Sequence, residues 1–124
     1  MVETFEEFVP KTGYSYETVQ DGQVLTASGG ATPNNTSDAK EVKKCTAIAI
    51  QAKNTASTSL LVEVFGSIDG SVFDDQPYAE TTLGATETKT LSITPGPKDI
   101  KIKITNQDAG NATTVHTRLG RRYG

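Results

Sequence analysis

Three aspartates close together are the first residues in this chain with the chemistry of a binding site. Asp69, Asp74 and Asp75 lie within one short stretch, with Ser71 between them. Oxygen ligands at such spacing can hold Ca²⁺. The stretch lacks the central glycine and the closing glutamate of a helix–loop–helix calcium loop, and Asp69 directly precedes Gly70, a pair typical of a tight turn. The sequence therefore predicts no metal site, with calcium as the alternative.

A catalytic base or a zinc site would need His116, the single histidine of the chain. Zinc takes several nitrogen or sulfur ligands, and the lone thiol, Cys45, is distant in sequence. Glu63 with Glu80 is the pair to consider for glycoside hydrolysis, but Glu63 alternates with apolar residues as in an ordinary strand. The sequence therefore predicts no catalytic residue and no cofactor, and we expect that the chain is not an enzyme.

Three aromatic residues offer a sugar-binding alternative. Tyr78, Phe73 and Phe65 could form a flat platform for a carbohydrate ring. The competing interpretation places Phe65 and Phe73 in the core, with Tyr78 at its edge and the hydroxyl in water. Tryptophan is absent from the chain, which weighs against a sugar platform. A carbohydrate- or surface-binding module remains the alternative function.

The element that positions these residues precedes them directly. Residues 60–65 alternate as in a strand, and Val and Phe suit a pleated surface. Asp69-Gly70 is a hairpin signal, because the favoured tight turn needs positive φ. The sequence therefore predicts a strand, a turn with Gly70 at positive φ, and a short edge segment at Val72-Phe73. The same signal at Asp21-Gly22 predicts a first hairpin near the N-terminus.

Further alternating stretches predict an all-β fold. Residues 44–53, 99–105 and 112–119 alternate at the period of two that marks half-buried strands. Two prolines in residues 94–97 require a turn. Short strands at roughly ten-residue spacing predict an antiparallel β-sandwich, jelly-roll-like, of about seven or eight strands. The predicted core is Ile48, Ile50, Leu60, Val62, Val64, Leu91, Ile93, Ile100, Ile102, Ile104 and Val115.

Composition limits the function classes. The chain has 124 residues, enough for one domain, and a net charge of -3, which argues against a general nucleic-acid binder. No apolar run is long enough to span a membrane. The acidic N-terminal residues lack the order of a signal peptide. We expect a protein made and kept in a cytoplasm unless a particle carries it out.

The two ends of the chain differ in charge. Residues 1–42 carry seven acidic residues against two lysines, whereas residues 97–124 carry six basic residues against two aspartates. The sequence predicts an extended N-terminal arm at residues 1–16, a single sandwich at residues 17–120 and a basic C-terminal tail at residues 121–124. We expect the ends to make the functional contacts. The predicted interface residues are Phe5, Phe8, Tyr14, Tyr16, Arg118, Arg121, Arg122 and Tyr123.

Two stretches carry a family resemblance. Residues 64–73 (VFGSIDGSVF) and residues 94–106 (TPGPKDIKIKITN) resemble small β-sandwich structural proteins of tailed-phage virions. The turn in the first stretch is also similar to one in discoidin-like and carbohydrate-binding sandwiches. The virion resemblance implies no catalytic residues.

The resemblance also implies a role in a virion. The favoured role is a capsid decoration (cement) protein, with a tail or neck component as the alternative. The differently charged chain ends predict contacts with other copies of the chain, with a trimer as the first guess, and the resemblance adds a major capsid or other virion protein as a partner. Neither nucleic acid nor a membrane is expected as a partner.

Overall fold

Alternating apolar and polar residues build the strands of the computed structural model, which describes residues 13–55 and 59–123. No helix in these ranges is long and apolar enough to cross a membrane. The strands, in chain order, are β1 (Gly13–Leu25), β2 (Asn34–Thr36), β3 (Lys40–Glu41), β4 (Cys45–Asn54), β5 (Leu60–Ser67), β6 (Ala79–Leu83), β7 (Thr88–Ile93), β8 (Asp99–Asn106) and β9 (Thr113–Tyr123).

The strands form two antiparallel sheets. The first sheet has the order β1-β9-β4-β7. The second has the order β2-β8-β5-β6, and β3 pairs with β8 beside β2. The predicted all-β antiparallel sandwich is confirmed. The described residues form nine strands rather than seven or eight, because β2 and β3 are too short to leave a periodic signal in the sequence.

One apolar cluster lies between the sheets. Its members come from both, such as Ile50 and Leu119 of the first sheet and Val62 and Ile102 of the second. The predicted core is confirmed except at Leu91 and Ile93, which are only partly buried because β7 is an edge strand. The core residues outside the prediction are Leu25, Val42, Ala52, Leu83 and Leu119.

The predicted hairpin at Asp21-Gly22 is wrong. Residues on both sides of this pair belong to β1, which follows β9 along its whole length. The register shifts twice, between Thr18 and Gln20 and between Asp21 and Gln23, so that Val19 and Gly22 are each an extra residue. Gly22 has a φ of +84°. A β-bulge uses a positive-φ glycine as readily as a turn does, so the same dipeptide signal fits both structures.

The ends of the sandwich lie beyond the predicted boundaries. β1 begins at Gly13, so Tyr14 and Tyr16 are strand residues paired with β9 rather than parts of a free arm. β9 continues to Tyr123, so residues 121–123 extend the strand instead of forming a tail. Phe5 and Phe8 lie outside the described residues.

A buried glutamine joins the two sheets. Gln20 of β1 is 1% exposed, and its Nε2 donates to Asn35 Oδ1 at 2.9 Å and to the Ile102 carbonyl at 3.2 Å. Its Oε1 accepts from Thr117 Oγ1 at 2.5 Å. One side chain therefore links β1 and β9 to β2 and β8, and its amide is hydrogen-bonded at both ends, as a buried polar group requires.

Candidate functional site

The residues singled out for calcium belong to a loop between β5 and β6, residues 68–78, here called the aspartate loop. The short edge segment predicted at Val72-Phe73 does not pair as a strand, since both residues lie in this loop. Gly70 has a φ of +84°, so its predicted positive φ is confirmed. The turn at Asp69-Gly70 opens a long connection rather than a two-residue hairpin.

Asp69 serves the turn. Its Oδ1 accepts hydrogen bonds from the Ser71 amide at 2.8 Å, the Val72 amide at 3.0 Å and the Ser67 hydroxyl at 3.0 Å. These donors, the Val72 amide foremost, lower the pKa of Asp69. The carboxylate is therefore held ionised and occupied within its own loop, an arrangement typical of an Asx turn.

Metal-ligating side chains do not converge in residues 13–55 and 59–123. No group of three or more histidine, cysteine, aspartate or glutamate side chains there is placed to hold a metal ion. Asp74 and Asp75 are exposed. His116 lies beside Asp21, with 3.5 Å between its Nδ1 and the Asp21 Oδ1, on the outer face of the first sheet.

The glutamate pair and the aromatic residues considered for sugar chemistry belong to the second sheet and to the aspartate loop. Glu63 and Glu80 are direct partners across β5 and β6, and Lys103 lies opposite Glu63 on the other side. Lys101 Nζ lies 4.6 Å from the centroid of the Phe73 ring. The alternative of a sugar platform would therefore have one face of the Phe73 ring occupied by a lysine of its own chain.

Backbone hydrogen bonds fix the aspartate loop against the sandwich. The amide of Asp74 donates to the Gly66 carbonyl at 2.9 Å, and that of Tyr78 donates to the Val64 carbonyl at 2.6 Å. The Gly70 amide donates to the Ser67 hydroxyl at 2.9 Å. The loop is thus tied near its beginning, middle and end.

Tyr78 connects the loop to the turn between β7 and β8. Its hydroxyl donates to the Thr94 carbonyl at 2.7 Å and accepts from the Gly96 amide at 3.1 Å. A groove of about 540 Å³ lies between the loop and this turn. Ile68 and Val72, 86% and 72% exposed, line the groove and present apolar surface to solvent.

A second surface lies on the outer face of the first sheet, where β1 pairs with β9. The register places Tyr14 opposite Arg122 and Tyr16 opposite Gly120. Gly120 has no side chain, and a Cβ there would overlap the Tyr14 hydroxyl and ring. Arg118 lies with its guanidinium carbon 5.8 Å from the Tyr16 ring centroid. These residues, with Lys53 of β4, are here called the tyrosine face.

Three cations of the tyrosine face make no ion pair with the described residues. No carboxylate of the described residues lies within ion-pair distance of Lys53, Arg118 or Arg122. Arg121 differs, because its side chain donates to Glu17 Oε1 at 2.9 Å and to the Glu41 carbonyl at 3.0 Å. Arg121 is therefore a structural residue that fastens β9 to its neighbours.

Of the predicted interface residues, the structure brings four together on the tyrosine face: Tyr14, Tyr16, Arg118 and Arg122. Arg121 lies on the other side of its strand, and Tyr123 is half-buried at the end of β9. Sequence reasoning did not find the apolar tip of the aspartate loop. The signal was an isoleucine and a valine set among glycine, serine and aspartate, where a core strand is excluded.

Comparison with known proteins gives a fold. No family model matches the chain, and no curated protein matches it in sequence. The crystal structure of the PBSX exported protein XepA is similar, with a TM-score of 0.66 and 9% identity over 89% of this chain and 37% of that chain. Tripeptidyl peptidase 2 is similar with a TM-score of 0.59 and 8% identity, over 92% of this chain and 10% of that one.

A third similar structure is an isomalto-dextranase of Arthrobacter globiformis T6 complexed with panose. Its TM-score is 0.53 at 12% identity, over 90% of this chain and 24% of that one. The chain spans well under two thirds of each of these three proteins. At such identities the likeness shows a shared β-sandwich, which occurs in proteins of different names and lengths.

The turn itself yields a test. We expect Gly70→Val to lower the free energy of unfolding by about 1–3 kcal/mol, because a β-branched residue is strained at positive φ. A Cβ at this position would also lie 2.6 Å from Asp99 Oδ2. Thermal unfolding measures the effect. The control is Gly29→Val, where φ is not positive and a Cβ would meet nothing within 4 Å. Equal melting temperatures for the two variants would contradict the turn geometry.

Proposed function

We propose that this protein is a non-enzymatic structural component of a tailed-phage virion, and within that class a capsid decoration protein. The observation that carries the proposal is the likeness of the whole sandwich to the PBSX exported protein XepA, a phage protein. The short sequence stretches that resemble small virion sandwiches support it. The chain would be synthesised in the host cytoplasm and end in the particle.

The surfaces of the sandwich suit this role. The described residues carry two exposed apolar surfaces with charged borders, the aspartate loop and the tyrosine face. Aromatic and arginine side chains are the residues that protein interfaces favour. Their chemistry supports binding to other copies of the chain, with a trimer as the first expectation, and to a major capsid or other virion protein.

The experiment is to purify particles of the phage that encodes the chain and to measure how much of the protein travels with them through a density gradient. Particles lacking the protein are then mixed with purified protein and separated again. We expect the protein to bind, and to bind shells without tails as well as complete particles. Binding to isolated tails alone would favour the tail or neck alternative, and absence from every particle fraction would contradict the proposal.

A variant separates the contribution of the N-terminal segment. We expect removal of residues 1–12 to leave cooperative unfolding intact, because β1 begins at Gly13. If the segment reaches a neighbouring subunit, attachment to particles is lost in this variant while the sandwich remains folded. Unchanged attachment would place the functional contacts on the sandwich.

A further inference from the structure

The large apolar side chains that the described residues expose fall into two groups and one isolated residue. Ile68, Val72 and Tyr78 belong to the aspartate loop, and Tyr14 and Tyr16 belong to the tyrosine face. Val24 stands apart near the end of β1. Apolar side chains clustered at the surface and bordered by polar residues mark sites of protein contact.

The two groups are opposite in charge. The aspartate loop carries Asp69, Asp74 and Asp75 and has no lysine or arginine. The cations next to it are already engaged, since Lys98 pairs with Asp99 at 3.1 Å and Lys101 covers the Phe73 ring.

The tyrosine face has the complementary charges. It carries Lys53, Arg118 and Arg122 against Asp21, which lies beside His116. Both groups therefore present exposed apolar side chains, and the charges of one group are opposite in sign to those of the other. Complementary potentials of this kind select a partner and fix its orientation.

We propose that the aspartate loop of one copy docks on the tyrosine face of the next copy, so that the chain associates head to tail. Ile68 and Val72 pack on the rings of Tyr14 and Tyr16, and Asp74 and Asp75 approach Arg118 and Arg122. The inference concerns contacts between copies and does not depend on the particle in which they occur.

The loop is prepared for this contact. Its hydrogen bonds to Gly66, Val64 and Ser67 hold the exposed tip in one shape. Binding a preorganised loop avoids the ordering entropy that a flexible segment would lose. The proposed occupant of the tyrosine face is therefore the aspartate loop of a second copy, already held in the shape in which it binds.

A single copy cannot satisfy both surfaces by itself. The aspartate loop connects two strands of the second sheet, whereas the tyrosine face is the outer side of the first sheet, so the sandwich separates them. The contact is therefore heterologous, with different surfaces meeting. Such contacts form closed rings or open chains, and a three-membered ring agrees with the trimer expected from the sequence.

The test uses two variants that each lose one surface. The loop variant is Ile68→Ser with Asp74→Lys, and the face variant is Tyr16→Ser with Arg118→Gln, so that the two altered surfaces do not regain a pair of opposite charges. Thermal unfolding first verifies that both are folded. In sedimentation velocity, we expect the wild type to associate with rising concentration and each variant to associate about 30-fold more weakly, as loss of a central contact residue implies.

Mixing the variants distinguishes a head-to-tail contact from other kinds. Each variant retains the surface that the other has lost, so an equimolar mixture should form one-to-one dimers and nothing larger. Matched controls are Asp38→Lys and Lys44→Glu, exposed charges outside both surfaces, which should associate as the wild type does. Higher salt should weaken the wild-type association.

Several results would overturn the proposal. They are a wild type that stays monomeric at millimolar concentration, variants that associate normally, and a mixture that forms no dimers. A fourth is loss of association on removal of residues 1–12 while the loop variant still associates, which would make that segment the occupant. A fifth is a wild type that stays monomeric but binds a soluble acidic polysaccharide in calorimetry, when the face variant does not bind it. That result would make the tyrosine face a site for another kind of ligand.

Discussion

Replacing Ile102 by alanine is expected to lower the free energy of unfolding by about 2–5 kcal/mol. Ile102 is fully buried on β8, opposite Val64 of β5, in the cluster that joins the sheets. Alanine keeps the backbone hydrogen bonds of the strand but leaves a cavity that a closely packed core fills only in part. Equilibrium unfolding in denaturant measures the change.

The control for this variant is Lys103→Ala on the same strand. Lys103 points to the outer side of the second sheet, so its loss should change the free energy of unfolding by less than about 1 kcal/mol. Successive side chains along a strand point to opposite faces of the sheet. If Ile102→Ala lowered the free energy of unfolding no more than Lys103→Ala does, the inward and outward sides of β8 would be the reverse of those described.

The second large effect is expected at Gln20. Gln20→Ala removes a side chain that binds Asn35, Thr117 and the Ile102 carbonyl between the sheets. Each buried polar group left without its partner costs on the order of 1–3 kcal/mol, so a total loss of about 2–4 kcal/mol is expected. Gln51→Ala is the control, because Gln51 is exposed on the same sheet. Equal stability of the two variants would show that the glutamine does not join the sheets.

The sequence revealed strands wherever one face is apolar without interruption. β8 alternates isoleucine with lysine and threonine, and β4 alternates its apolar residues in the same way, so both were predicted with their buried sides. The buried side of β1 was not predicted, because its polar and aromatic residues do not alternate with a regular period. Its continuity comes from pairing with β9, about a hundred positions away in the chain. A local signal such as Asp21-Gly22 cannot distinguish a turn from a bulge without that partner.

The candidate surfaces were partly predictable for the same reason. Tyr14, Tyr16, Arg118 and Arg122 were chosen because they lie near the chain ends. Antiparallel pairing of β1 with β9 places them on one face, which spacing along the chain does not show. Gln20 was missed because a glutamine in a polar stretch is usually exposed, and only the hydroxyl of Thr117 and the groups of β2 and β8 make its burial possible.

The central claim, that a tailed phage encodes the chain and carries it in its virion, is tested most directly by an electron cryomicroscopy map of that virion. The account predicts density for this sandwich on the outside of the shell, in copies that contact one another through the aspartate loop and the tyrosine face. A particle map of sufficient resolution in which the two-sheet sandwich fits no density, on shell, neck or tail, would contradict the proposed structural role.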